Sequence, residues 1–276
     1  MRYSICNETF EGWDWARTCD AIAALGYQGV EVAPFTLASD IRNLDSGTRR
    51  SLAATAVQAG LDIVGLHWLL VSPKGFSVTA DDDRVRGETS AFLADMTDFC
   101  ADLGGKIMVF GSPAQRRIPE GRTAELAADR LCAAVERAIA RAEKHGITIC
   151  LEPLPAPEAD FILRLAEAEA LLRRIDHPNV RTIFDVKSAC SEGPPLDELI
   201  EQYAPWIAHV HANDANRRGP GFGATDFVPI FRTLDVVGYA GWVSVEVFDY
   251  LPDPVTIGRE SLAYMRRCES AAKGAA

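Results

Sequence analysis

Eight times along the chain a short run of β-branched or apolar residues gives way to a longer segment of helical period. An unbroken βα alternation of that kind points to a parallel sheet. The strand segments are Tyr3–Cys6, Gly29–Val32, Asp62–His67, Lys106–Phe110, Ile147–Glu152, Val180–Asp185, Ile207–His211 and Trp242–Val247. Helices are predicted over Trp13–Leu25, Thr48–Ala59, Arg84–Leu103, Arg122–His145, Leu163–Ile175, Leu196–Tyr203, Phe227–Val237 and Ile257–Glu269. Gly26 and Gly146 follow their helices where a left-handed cap belongs, and Leu126, Ala127, Leu131, Val135 and Ala138 keep the i, i+3, i+4 spacing of a buried helix face. Eight βα units close a (β/α)8 TIM barrel, an α/β fold that takes about 250 residues as a single domain, and the chain has 276. An open doubly wound sheet is the alternative. It needs a glycine-rich phosphate loop after the first strand, and Cys6-Asn7-Glu8-Thr9-Phe10-Glu11-Gly12 is not one. With no linker, low-complexity tract or internal repeat, one barrel domain is expected over 1–270, with a frayed tail at 271–276.

Charge narrows the partners. The 28 basic and 39 acidic residues leave a net charge of −11, so the chain lacks the positive field that phosphate backbones and anionic membranes require. Neither nucleic acid nor membrane is an expected partner. The seven cysteines are scattered with no CxxC pair, and the first residues carry no apolar signal region, so reduced thiols and a cytoplasmic location are expected.

The chemistry is written at the ends of the later strands. Strand five ends on Glu152, strand six on Asp185, strand seven on His211 and strand eight on Glu246. Taken singly, each has an ordinary structural role: a salt-bridged glutamate, an N-cap aspartate, a core histidine. Taken as a register of four consecutive strand ends, they would bring three carboxylates and an imidazole to the catalytic face of a barrel, and burying such carboxylates together is costly. The simplest compensation is one divalent cation. The ligand set suits Mn²⁺ or Mg²⁺, with Co²⁺ and Zn²⁺ as alternatives. His209 points to the same side of its strand as His211, one layer deeper, and reads as packing or support. Glu31 reads as an interior residue paired to a neighbour.

These residues resemble the xylose-isomerase-like TIM barrels of sugar isomerases and epimerases, especially the ketose 3-epimerase branch. The resemblance lies in Leu151-Glu152-Pro153-Leu154 with Glu158-Ala159-Asp160-Phe161, in Phe184-Asp185-Val186-Lys187-Ser188, in His211-Ala212-Asn213-Asp214 with Arg217, Gly221, Gly223 and Asp226-Phe227, and in Ser244-Val245-Glu246. It implies that Glu152, Asp185, His211 and Glu246 are the metal ligands, that Glu152 and Glu246 are also the acid–base pair, and that Glu158 and Arg217 contact substrate. Members of the family are often dimers or tetramers, so a homo-oligomer is expected by analogy. One departure stands out. Where the epimerases usually carry a histidine three residues after the aspartate, this chain has Ser188, which is shorter and cannot carry charge. Lys187 is read as solvated or salt-bridged rather than as a replacement.

Further candidates for substrate contact are His67 and Trp68 at the end of strand three, and Trp15. The stretch Gly219-Pro220-Gly221-Phe222-Gly223 has no P-loop lysine and reads as a shaped turn holding Arg217. Together these features predict a metal-dependent sugar isomerase or epimerase that removes a proton next to a carbonyl, through an ene-diolate, on a small polyhydroxylated ketone or keto sugar. A dehydratase or lyase acting on a keto-cyclitol or keto sugar, through the same enolate, is the alternative. A sugar-binding barrel without catalysis fits less well, because both glutamates are present. A three-zinc endonuclease of the same superfamily fits poorly with five histidines and the acidic charge.

Overall fold

The computed structural model describes residues 1–274. Eight parallel strands, β1 (Arg2–Cys6), β2 (Gly29–Val32), β3 (Asp62–Leu66), β4 (Ile107–Phe110), β5 (Thr148–Leu151), β6 (Val180–Asp185), β7 (Ile207–Ala212) and β8 (Trp242–Val245), follow one another in chain order around a closed barrel. Between and after them run helices α1 (Trp15–Leu25), α2 (Ser46–Gln58), α3 (Asp83–Leu103), α4 (Ala124–His145), α5 (Leu165–Ile175), α6 (Val186–Ala189), α7 (Leu196–Tyr203), α8 (Phe227–Val236) and α9 (Pro254–Gly274). The (β/α)8 barrel expected from the alternation is therefore the fold.

Several boundaries differ from the sequence reading for reasons of capping. Asp14 accepts the Arg17 N–H at 2.9 Å, so α1 begins at Trp15 and not at Trp13. Thr123 accepts the Leu126 N–H at 3.2 Å and starts α4 two residues later than expected. At the other end, α9 begins at Pro254 and continues through residues 271–274, which the sequence reading had assigned to a frayed tail. Buried Ala272 holds that last turn; the remainder of the expected tail, 275–276, lies outside the described residues. The short helix α6 is absent from the predicted helices, although Asp185, considered as an N-cap, stands at its start.

Two compact units interleave along the chain. In the unit made of Met1–Glu31, Thr55–Val64 and the chain from Ile183, β1 lies between β2 and β8, with Ser4 opposite both Gly29 and Ser244. Gly29 is obligatory there, because a Cβ would stand 2.8 Å from the Trp242 ring. In the unit made of Val32–Ala54 and Gly65–Thr182, β4 pairs with β3 and β5, and Leu151 of β5 pairs with Thr182 of β6. Gly65 is constrained more tightly, since a Cβ there would run into the Ile107 backbone carbonyl. No described helix is long and apolar enough to cross a membrane.

Three residues expected within their strands, His67 and Glu152 as the last residue and Glu246 as the last but one, stand one step beyond the strand or ladder. His67, Glu152 and Glu246 each still donate a backbone N–H to the neighbouring strand, to Val32, Phe110 and Ala212 oxygens at 3.0, 3.2 and 3.3 Å. Their side chains are thus anchored at the root while the chain turns away; after Glu152 the turn is enforced by Pro153, which has no N–H to continue the sheet.

Candidate metal centre

In the first unit, β6, β7 and β8 bring Asp185, His211 and Glu246 together, one ligand-type atom of each lying within 4.8 Å of the others. All three side chains are buried. Asp185 also performs the capping role considered for it singly: Oδ1 accepts the Ser188 N–H at 2.7 Å, while Oδ2 accepts from the Asn213 amide at 2.7 Å. Asn213 in turn accepts the Lys187 N–H at 2.8 Å, so the two strand ends are tied through one amide.

Behind this group lies Glu31 of β2. Its two carboxylate oxygens meet His209 Nε2 at 2.8 Å and His211 Nε2 at 3.0 Å. The interior pairing expected for Glu31 is therefore with both histidines at once. Burial alone would raise the Glu31 carboxyl's pKa, but the two imidazoles hold it well below the usual carboxylate range. The other nitrogen of His211, Nδ1, lies 3.2 Å from Glu246 Oε2. A neutral imidazole whose Nε2–H serves Glu31 would present a lone pair to that carboxylate, and two electron-rich atoms at this separation require positive charge between or on them. Carboxylates with an imidazole are a donor set for a hard or borderline divalent cation, so the residues present fit one.

In the second unit Glu152 is buried, and its carbonyl accepts from Arg116 Nη1 at 2.7 Å. Arg116 is completely buried and also reaches the Phe110 and Ile162 carbonyls at 3.4 and 3.5 Å. Burial pulls its pKa down to about 10, with the Glu152 charge acting in the opposite direction. The sequence reading missed this arginine. Arg116-Arg117 in a loop after β4 looks like a solvated pair, and nothing local marks one of them as interior. His67 is buried in the same unit, Trp68 is half-buried with φ 54°, and Glu158 is half-buried in the loop after β5.

Ser188 is buried on α6, and its hydroxyl has no hydrogen-bond partner among the described residues. Of the two environments expected for Lys187, solvated or salt-bridged, the first does not hold: the residue is buried, with Nζ 4.8 Å from the centre of the Phe248 ring. Arg217 shares that ring at 5.0 Å, and its carbonyl accepts the Phe248 N–H at 2.9 Å. Arg217 itself adopts φ 71°. The glycine-rich stretch beside it is a packed turn. A Cβ on Gly219 would meet Ser261 Oγ at 2.3 Å, and one on Gly223 would meet the Asp214 carboxylate at 2.2 Å. Trp15 opens α1 and is half-buried.

The family described as xylose isomerase-like TIM barrel matches residues 19–268. The 3-dehydro-D-guloside 4-epimerase of Escherichia coli (strain K12) is 32% identical over 127 residues, a match spanning 46% of this chain and 48%, about half, of that relative. The D-psicose 3-epimerase of Ruminiclostridium cellulolyticum is 25% identical over 250 residues, covering 89% of this chain and 82% of the relative. Among solved structures, a D-psicose 3-epimerase in the presence of D-fructose superimposes with TM-score 0.86 over 98% of this chain and 99% of that one, at 20% identity, a likeness of fold.

Proposed function

The chain belongs to the xylose isomerase-like TIM barrel family, and on that premise we propose that it is a divalent-metal-dependent epimerase of keto sugars. The observation that carries the reading is His211 Nδ1 set 3.2 Å from the Glu246 carboxylate, with Asp185 in the same group. In our reading Glu152 is the fourth ligand. It directly follows β5, which precedes β6, β7 and β8 in the barrel order, so ligand-type side chains stand at or just beyond the ends of four consecutive strands. These residues would hold a divalent cation, Mn²⁺ in the first instance, with Mg²⁺, Co²⁺ and Zn²⁺ as alternatives, which would supply polarisation of a substrate carbonyl and so acidify the C–H beside it.

Glu152 and Glu246 divide the proton chemistry. One carboxylate removes the proton next to the carbonyl, and the other delivers a proton to the opposite face, which inverts that carbon. The names of both relatives describe such an inversion beside a carbonyl: carbon 4 of a 3-dehydro sugar and carbon 3 of a 2-ketose. Arg217 and Glu158 contact substrate hydroxyls in this reading, and His67, Trp68 and Ser188 line the rest. Because Ser188 is short and its buried hydroxyl lacks a partner among the described residues, the substrate is larger than, or oxidised or substituted differently from, a simple ketohexose.

The test is to incubate the Mn²⁺-loaded protein with a panel of 3-keto glycosides, free ketohexoses and inososes and to identify products by NMR. An epimer at the carbon beside the carbonyl is expected, with 3-keto glycosides preferred. An aldose from a ketose would replace epimerisation by 1,2-isomerisation, and an ultraviolet-absorbing dehydrated product would make the protein a lyase.

A further inference from the structure

We infer that Glu31 is a positioning residue: it holds His209 and His211 in one hydrogen-bonding sense and thereby directs His211 Nδ1 at the Glu246 carboxylate and the cation proposed beside it. The catalytic consequence rests on the proposed function; the geometry does not. Glu31 sits in β2 opposite Cys6 of β1, completely buried. Its two oxygens are divided between two rings, Oε2 with His209 Nε2 at 2.8 Å and Oε1 with His211 Nε2 at 3.0 Å. The rings can share one carboxylate because residues two apart on a strand project to the same side. Their centres are 5.1 Å apart with planes at 79°, and each presents Nε2 to a different oxygen of the one carboxylate.

The argument is one of donors and acceptors. An ionised carboxylate only accepts, so each Nε2 facing it must carry the hydrogen. For His211 that leaves Nδ1 as the nitrogen turned toward Glu246, and the ring cannot exchange the two roles without losing its bond to Glu31. A carboxylate behind a ligating imidazole also makes that imidazole a better donor to a cation. His209 completes the arrangement. Its Nε2 gives the second oxygen of this fully buried carboxylate a hydrogen bond at 2.8 Å. The pair of histidines thus makes the buried glutamate tolerable, and the glutamate orients the histidine that matters.

The Glu31→Gln variant keeps the shape but offers one acceptor and one amide donor, so it cannot accept from both rings. Long-range ¹H–¹⁵N NMR of the metal-free wild type is expected to show a hydrogen on Nε2 of both His209 and His211, and in Glu31→Gln one ring is expected to lose it. By spin-resonance titration with Mn²⁺ alone, Glu31→Gln is expected to bind about 10–100-fold more weakly than wild type. His209→Gln, which retains an N–H for Glu31, should bind nearly as tightly as wild type, showing that the loss comes from His211's orientation and not from packing. A bare Nε2 on either ring of the wild type, or Mn²⁺ affinity unchanged in Glu31→Gln, overturns the inference. A wild type that binds no Mn²⁺ overturns the proposed function, and the metal-free spectra then still decide the role of Glu31. The wild-type spectra also decide it if the variant does not fold.

Discussion

The Glu152 carboxylate lies directly over Gly111, where a Cβ would stand 1.9 Å from Oε2. The absence of a side chain at one strand end thus creates the space in which the carboxylate of the next strand is held, while Arg116 fixes that glutamate's own carbonyl. Gly111→Ala should therefore push the carboxylate aside without disturbing the ladder beneath it. We expect kcat to fall at least tenfold, in keeping with the sensitivity of proton transfer to about 1 Å of misplacement, while the melting temperature stays close to wild type. Unchanged kcat would remove Glu152 from the chemistry.

Replacing either proposed acid–base residue gives a sharper loss. In Glu152→Gln and Glu246→Gln the amide keeps the shape and a ligating oxygen but cannot take the proton. Turnover should drop by the ~10²–10⁴ typical of general acid–base catalysis or more, in a protein whose circular dichroism matches wild type. A variant that retains near-wild-type turnover excludes that residue as acid or base.

Ser188 governs substrate choice in this account. Ser188→His would place an imidazole where a buried hydroxyl now lacks a partner among the described residues. We expect kcat/KM for free ketohexoses to rise and that for 3-keto glycosides to fall. Efficient wild-type epimerisation of a free ketohexose, unimproved by the histidine, would show that Ser188 is a neutral replacement.

Away from the site, Glu269 predicts a pH dependence of stability. Burial would raise its pKa, but hydrogen bonds from Lys273, from Tyr3 at 2.6 Å and from the Met1 ammonium at 3.2 Å bring it down to about 2. A depressed carboxylate stabilises the fold above its ordinary value near 4.5, and that contribution is lost as pH falls toward 2. Glu269→Gln should thus melt at lower temperature than wild type at pH 7, and the gap should narrow in melts taken between about pH 5 and pH 2. A gap that does not change with pH would mean that the variant acts only through packing.

Much of the barrel was legible because its signals are local. β-branched runs bounded by glycine and helical segments define each strand, and the type of residue at a strand end survives an error of one position, as Glu152 and Glu246 show. Caps were legible too, but Asp14 and Thr123 were passed over in favour of apolar period. Helix α9 runs on through Ala271 and Ala272, where the only local signal is that alanine is the best helix former. The rest was invisible for a physical reason. Glu31 and His209 are 178 residues apart, and no local pattern joins them. Arg116 differs from Arg117 only in what the fold wraps around it.

Solvent exchange is the most direct measurement of the central claim. The Mn²⁺-loaded protein, incubated in D₂O with the keto sugar it turns over, should place one carbon-bound deuterium at the inverted centre of each product molecule, and Glu152→Gln and Glu246→Gln should abolish that incorporation. Inverted product that carries no deuterium would contradict proton transfer between two carboxylates on opposite faces, and with it the account of this site.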